Sequence, residues 1–171
     1  MKKSFLVMIF LLSFLLETSP TRATSLCYNV RQMTAEQWLR LHSELMVITV
    51  SCGQNSSGES LVPLYQNFTQ ENIASLQKAE ATLMKFYKDH YGGNGLQALD
   101  KLRTRLGNEY GLKVAELSTP RYCQQFQDKV ESIYHLTPTQ LNIVVQRMTH
   151  NEKSEFYLCP KQQPDIAKTR Q

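Results

Sequence analysis

No apolar run in this 171-residue chain is long enough to make a stable membrane-crossing helix. The longest, Phe5 to Leu16, has twelve residues, whereas a hydrocarbon core roughly 30 Å thick needs about 20. Patterns that announce chemistry are missing too. There is no Cys-x-x-Cys pair, no His-Glu-x-x-His, no Glu-x-x-His or His-x-His pair and no Gly-x-Ser-x-Gly elbow, so the usual spacings of zinc, redox and serine-hydrolase sites do not occur. The glycine-rich run Gly92-Gly93-Asn94-Gly95 is followed by no Lys-Ser/Thr pair and reads as a turn between helices, not a phosphate cradle. Strand patterning is poor throughout, and no repeat or low-complexity tract breaks the chain.

The chain does carry the marks of export. Met1-Lys2-Lys3 precedes the short apolar run, and Thr21-Arg22-Ala23 offers small residues where a signal peptidase reads. A signal peptide is therefore expected over 1–23, with a domain over 24–159 and a flexible tail over 160–171. Removing the signal takes away Lys2, Lys3, Arg22 and Glu17, three positive charges and one negative, which reduces the formal charge from +4 to +2. The remaining basic residues are interleaved with acids, so nucleic acid is not an expected partner. No membrane span is expected once the signal has been cut. Four cysteines, Cys27, Cys52, Cys123 and Cys159, lie in the mature part, and an even count in an exported chain predicts two disulfides.

Apolar residues recur at three-or-four spacing, which predicts an all-α, up-and-down bundle of four to five helices. Thr34-Ala35-Glu36-Gln37 reads as a capping box opening helix 1 over 34–50, with Met33 and Trp38 as its hydrophobic staple. Helix 2 is expected from Leu61 to His90, weakest across the polar run Thr69 to Asn72. Helix 3 follows from Leu96 to Leu117. Its Gly107, Gly111 and Ala115 form a small-residue stripe expected to admit a neighbouring helix. Thr119-Pro120 opens helix 4, which should run to Leu136, and Thr137 with Gln140 caps a fifth helix ending near Met148. In an up-and-down bundle the end of helix 1 and the end of helix 3 share a pole, which brings Cys52 to Cys123. Pairing Cys27 with Cys52 would demand a leader running back along about 25 Å of helix, so Cys27 is left to join Cys159.

The histidines, His42, His90, His135 and His150, fall in separate segments. His42 reads as a solvated helix position and His90 as a favourable charge at a helix C-terminus. Asn55-Ser56-Ser57 and Asn67-Phe68-Thr69 have the form of glycosylation sequons, which would mean nothing in a bacterial chain. The weak site candidates are Asn108 and Glu109 in helix 3, where an exposed or salt-bridged carboxylate is the simpler reading. No catalytic residue, metal or cofactor is assigned.

Four stretches, Leu61 to Phe68, Lys78 to Leu83, Leu99 to Glu109, and Tyr122-Cys123, together resemble a group of uncharacterised small exported helical proteins of alphaproteobacteria over residues 34–136. That resemblance implies a periplasmic or secreted helical fold and carries over no catalytic residue; the capped helix after Leu136 departs from it. The expected function is a non-enzymatic binding or envelope-associated protein with a protein or envelope partner. A small hydrolase-like enzyme using a carboxylate on helix 3, or a periplasmic stress chaperone, is the alternative.

Overall fold

Asn29, rather than Thr34, opens the first helix. Its side chain accepts from the amide of Gln32 at 2.9 Å, and the Gln32 side chain accepts from the amide of Asn29 at 2.8 Å, which is the reciprocal box that satisfies two orphan donors. Val30 to Met33 therefore continue the helix backwards, and the Thr34 hydroxyl turns back along the helix to donate to the Val30 carbonyl at 2.9 Å. A box five residues upstream has replaced the expected one.

The computed structural model describes residues 26–151 and 153–160, the side chains of His150 and Asn151 excepted. The expected signal segment lies outside the described residues, as does the expected tail beyond Pro160. The described residues form seven helices, namely α1 (Val30–Cys52), α2 (Leu61–Glu71), α3 (Ile73–Tyr91), α4 (Gly95–Leu117), α5 (Thr119–Phe126), α6 (Lys129–Tyr134) and α7 (Pro138–Asn151). All five expected helical stretches are present, and two of them break. The first break falls at Asn72, within the polar run, where the Asn72 side chain donates to the Phe68 carbonyl at 2.9 Å. The second, at Gln127–Asp128, interrupts what periodicity read as one helix over 119–136. Its cause is tertiary. The Asp128 carboxylate accepts from the Ser56 amide at 2.8 Å and Glu131 accepts from Asn55 at 2.8 Å, so this corner is tied to the turn after α1. Asn55 is buried by those bonds, while Asn67 is exposed on α2. The cap at Thr137 forms as expected, with the Gln140 side chain accepting from the Thr137 amide at 2.9 Å.

α1 is the axis of the bundle and touches each of the other six helices. Trp38, Leu41, Leu45 and Ile48 are buried on it as their spacing predicts, but so are Glu36, Gln37, Arg40 and Glu44 on its other side. Both disulfides join the predicted partners. Cys52–Cys123 ties the end of α1 to α5, and Cys27–Cys159 ties the leader to the C-terminal clasp. Beside the latter, the Tyr28 amide donates to the Tyr157 carbonyl and the Cys159 amide to the Tyr28 carbonyl, both at 2.9 Å. These bonds make a single parallel bridge between Tyr28 and Leu158.

The small-residue stripe of α4 does not admit a neighbour. A Cβ placed on Gly107 or Gly111 would meet nothing within 4 Å, whereas one on Gly95 would lie 2.5 Å from the Met84 carbonyl oxygen. Close approach occurs at the start of α4, where it folds back on α3. Gly107→Ala and Gly111→Ala should each raise the unfolding free energy by about 0.5–1 kcal/mol through helix propensity. Gly95→Ala should lower it by roughly 1–3 kcal/mol through forced displacement of backbone. Urea titration of the three variants against the parent checks the signs, and a loss at Gly107 would mean that a helix does pack there.

Candidate functional site

Three polar arrangements are built into the bundle. The first is a buried spine that anchors the C-terminal clasp. Glu36 is fully buried, and its carboxylate accepts from Arg40 Nε at 2.9 Å, from the Ser154 hydroxyl at 3.1 Å and from the Glu155 amide at 3.0 and 3.1 Å. Arg40 spends Nη1 on both oxygens of Glu109, at 3.1 and 2.9 Å. Burial alone would lower Arg40, but the charge of Glu36 and the bond to Glu109 outweigh it and hold the guanidinium more firmly protonated. Glu155 in turn accepts from Tyr87 Oη and pairs with Arg105 at 2.9 Å. Because Tyr87 gives its proton to Glu155, the Tyr28 hydroxyl donates to Tyr87, 3.1 Å away. Burial drives both phenols far above their ordinary range, reinforced by the Glu36 charge at Tyr28 and by the Glu155 bond at Tyr87.

Glu109, one of the two weak site candidates, therefore serves as a counterion for Arg40. Asn108 beside it is exposed and joins no site group. None of the three described histidine side chains bonds to Glu109. His90 lies 2.7 Å from the Phe86 carbonyl at the end of α3, and His135 sits 3.9 Å from Glu131.

His42 forms the second arrangement, and it is half-buried, not solvated. Its Nε2 lies 2.9 Å from Tyr65 Oη and 3.3 Å from Thr69 Oγ1, with the tyrosine ring tilted across it. Burial pushes the imidazole below its ordinary value of 6.5; Glu80 counters this and Arg103 adds to it. The sign for stability follows directly. Below pH 6.5 the unfolded chain takes up a proton that the folded chain still refuses, so acid favours unfolding, by at most about 1.4 kcal/mol per pH unit. His42→Asn should flatten the stability profile between pH 6.5 and 5, and denaturant midpoints measured across that range would show an unchanged slope if His42 were not responsible.

The third arrangement is a groove of about 560 Å³ between α1, α3 and the start of α7. α1 contributes Arg31, Thr34, Ala35 and Trp38, α3 contributes Ser75, Lys78, Ala79 and Thr82, and α7 contributes Asn142. Helical spacing explains the set, since 31, 34, 35 and 38 share one face of α1, and 75, 78, 79 and 82 share one face of α3. No carboxylate lines this groove. Ser75 and Lys78 stand at Ser-x-x-Lys spacing, in which a lysine can activate a serine, yet no hydrogen bond joins them and Lys78 is exposed.

Neither the groove nor the spine carries a sequence motif. Glu36 and Arg40 do carry an i,i+4 signal, but that spacing is the mark of a surface pair, and nothing in it says that the pair is buried. Among the described residues no group of three or more His, Cys, Asp or Glu could hold a metal ion, and no helix is long and apolar enough to cross a membrane. No family model, curated protein or solved structure matches this chain.

Proposed function

We propose that this protein is exported and acts as a non-enzymatic binding protein in the periplasm or the extracellular medium. Export rests on the basic and apolar N-terminus, and it fits a chain whose four cysteines are all engaged in disulfides, bonds that persist in oxidising compartments. The observation that carries the binding role is the division of labour among polar groups. The buried acids Glu36 and Glu44 and the half-buried Glu109 and Glu155 are engaged by Arg40, Lys129 or Arg105. The large groove, by contrast, is lined by hydroxyls, an amide and two cations that pair with no acid among the described residues. That distribution suits recognition by contact.

Tagged protein expressed from the complete chain should be recovered from the envelope or culture fraction without residues 1–23 and with no free thiol. Pull-down from that fraction, or screening of its small-molecule extract, should yield a bound component. Recovery in the cytoplasm with four reactive thiols would reject export. Turnover of a small substrate with no stable complex would reject the binding role.

A further inference from the structure

We infer that the groove between α1, α3 and α7 is a binding site for a small acidic saccharide, one or two sugar rings carrying a phosphate, sulfate or carboxylate. This deepens the binding role proposed above and rests on it. Size is the first argument. A volume of about 560 Å³ falls within the roughly 300–1,000 Å³ of small-molecule sites and is far larger than a bare inorganic anion requires.

Charge is the second. Arg31 and Lys78 both line the groove, and no carboxylate does. Neither has an ion-pair partner among the described residues, a state they share with exposed cations such as Lys88 and Lys101, but those two do not line it. A smaller hollow of about 200 Å³ shares Arg31 and Thr82 with the groove and extends it past Lys85 and Asp89. The carboxylate of Asp89 is already matched by Lys85 at 2.7 Å. An anionic group entering beside Arg31 and Lys78 would find charge-assisted donors and no free acid.

The hydroxyls supply the third argument. Thr34 donates to the Val30 carbonyl at 2.9 Å and Thr82 to the Lys78 carbonyl at 2.8 Å. With their protons committed, both oxygens can only accept. They call for donors on the ligand, which an ionised carboxylate or a phosphate monoester dianion does not have and a sugar hydroxyl does. Ser75 and Asn142 can both donate and accept, which matches the double character of a sugar hydroxyl. Trp38 is buried in the core but contributes to the groove's lining, and it is the only tryptophan of the chain, so its fluorescence reports on occupancy without a label.

The test is a titration of Trp38 fluorescence in the complete mature protein, with calorimetry in parallel, using glucose 6-phosphate, glucuronate, glucose and inorganic phosphate. Glucose 6-phosphate or glucuronate should give a saturable change, with glucose and phosphate each at least tenfold weaker. Arg31→Ala and Lys78→Ala replace exposed side chains and should each weaken binding about tenfold, the size expected of one lost charged hydrogen bond. Lys78→Arg should restore most of it. Lys101→Ala, on α4 and outside the groove, should change nothing. Equal binding of glucose and its charged relatives would overturn the acidic specificity and leave the binding role intact. Binding indifferent to Arg31 and Lys78 would overturn the site. No response to any of the four probes, with another component captured from the envelope fraction, would overturn the saccharide and spare the binding role. No response and no captured component would overturn both.

Discussion

Arg40→Met should cost about 3–5 kcal/mol of stability, because it leaves a buried carboxylate with no cation. Glu36 is fully buried, and its remaining donors would be the neutral Ser154 hydroxyl and Glu155 amide. Glu109 would lose its only ion-pair partner among the described residues as well, but it is 32% exposed at its side chain, and water would replace most of that interaction. The loss therefore concentrates on Glu36. Glu36→Gln in the same background removes the orphan charge while keeping an acceptor for the clasp, so the double variant should recover a substantial part of the deficit. A double-mutant cycle in urea measures this coupling. If Arg40→Met cost less than about 1 kcal/mol, the pair would be no more than an exposed helix ion pair in energetic terms.

The second large effect is the removal of the Cys27–Cys159 bridge by paired serine substitution, which should destabilise the protein by about 4 kcal/mol. The bridge spans 132 residues and Cys52–Cys123 spans 71. Loop-closure entropy grows only with the logarithm of that separation, so the two removals should cost nearly the same in global stability. Their local consequences differ. Without Cys27–Cys159 the clasp is held by its two backbone bonds to Tyr28 and by Glu36, Tyr87 and Arg105. Amide exchange of Tyr28 and Cys159 should then rise well above the rate set by global unfolding, while the turn at 53–60 keeps its protection. Losing Cys52–Cys123 should reverse the pattern, with faster exchange at Asn55 and Leu61. Uniform exchange changes in both variants would mean that neither bridge controls a local unit.

Much of the fold was legible in the chain. The helix-stopping signals after Cys52, after Tyr91 and after Leu117 fall where the helices end, because glycine, asparagine and proline act through their own backbone preferences. The disulfide partners followed from those boundaries. The first cap was misplaced because two capping boxes, at Asn29 and at Thr34, lie within one stretch, and local chemistry does not rank them. The stripe at Gly107 and Gly111 misled for a similar reason: a missing side chain permits close approach without requiring it, and the neighbouring helix went to Gly95 instead.

The site was less legible. Glu109 drew attention as a carboxylate near an apolar stripe, and its partner proved to be Arg40, 69 residues away in sequence. In sequence His42 stands one residue past the core-facing Leu41 and close to Glu44, which reads as a solvated position, while the groups that bond it, Tyr65 and Thr69, come from α2. Arg31 and Lys78 share a groove only because α1 and α3 lie side by side.

The sequence by itself determined that the chain is helical, where most helices end, and that four cysteines close two bridges, since these depend on residue spacing and backbone preference over a few turns. Only the tertiary structure decided that Glu36 and Arg40 are buried, that α4 meets its neighbour at Gly95, and that two unpaired cations face one groove. Burial and pairing depend on which helix faces are brought together, and that is settled by packing across the whole bundle around α1.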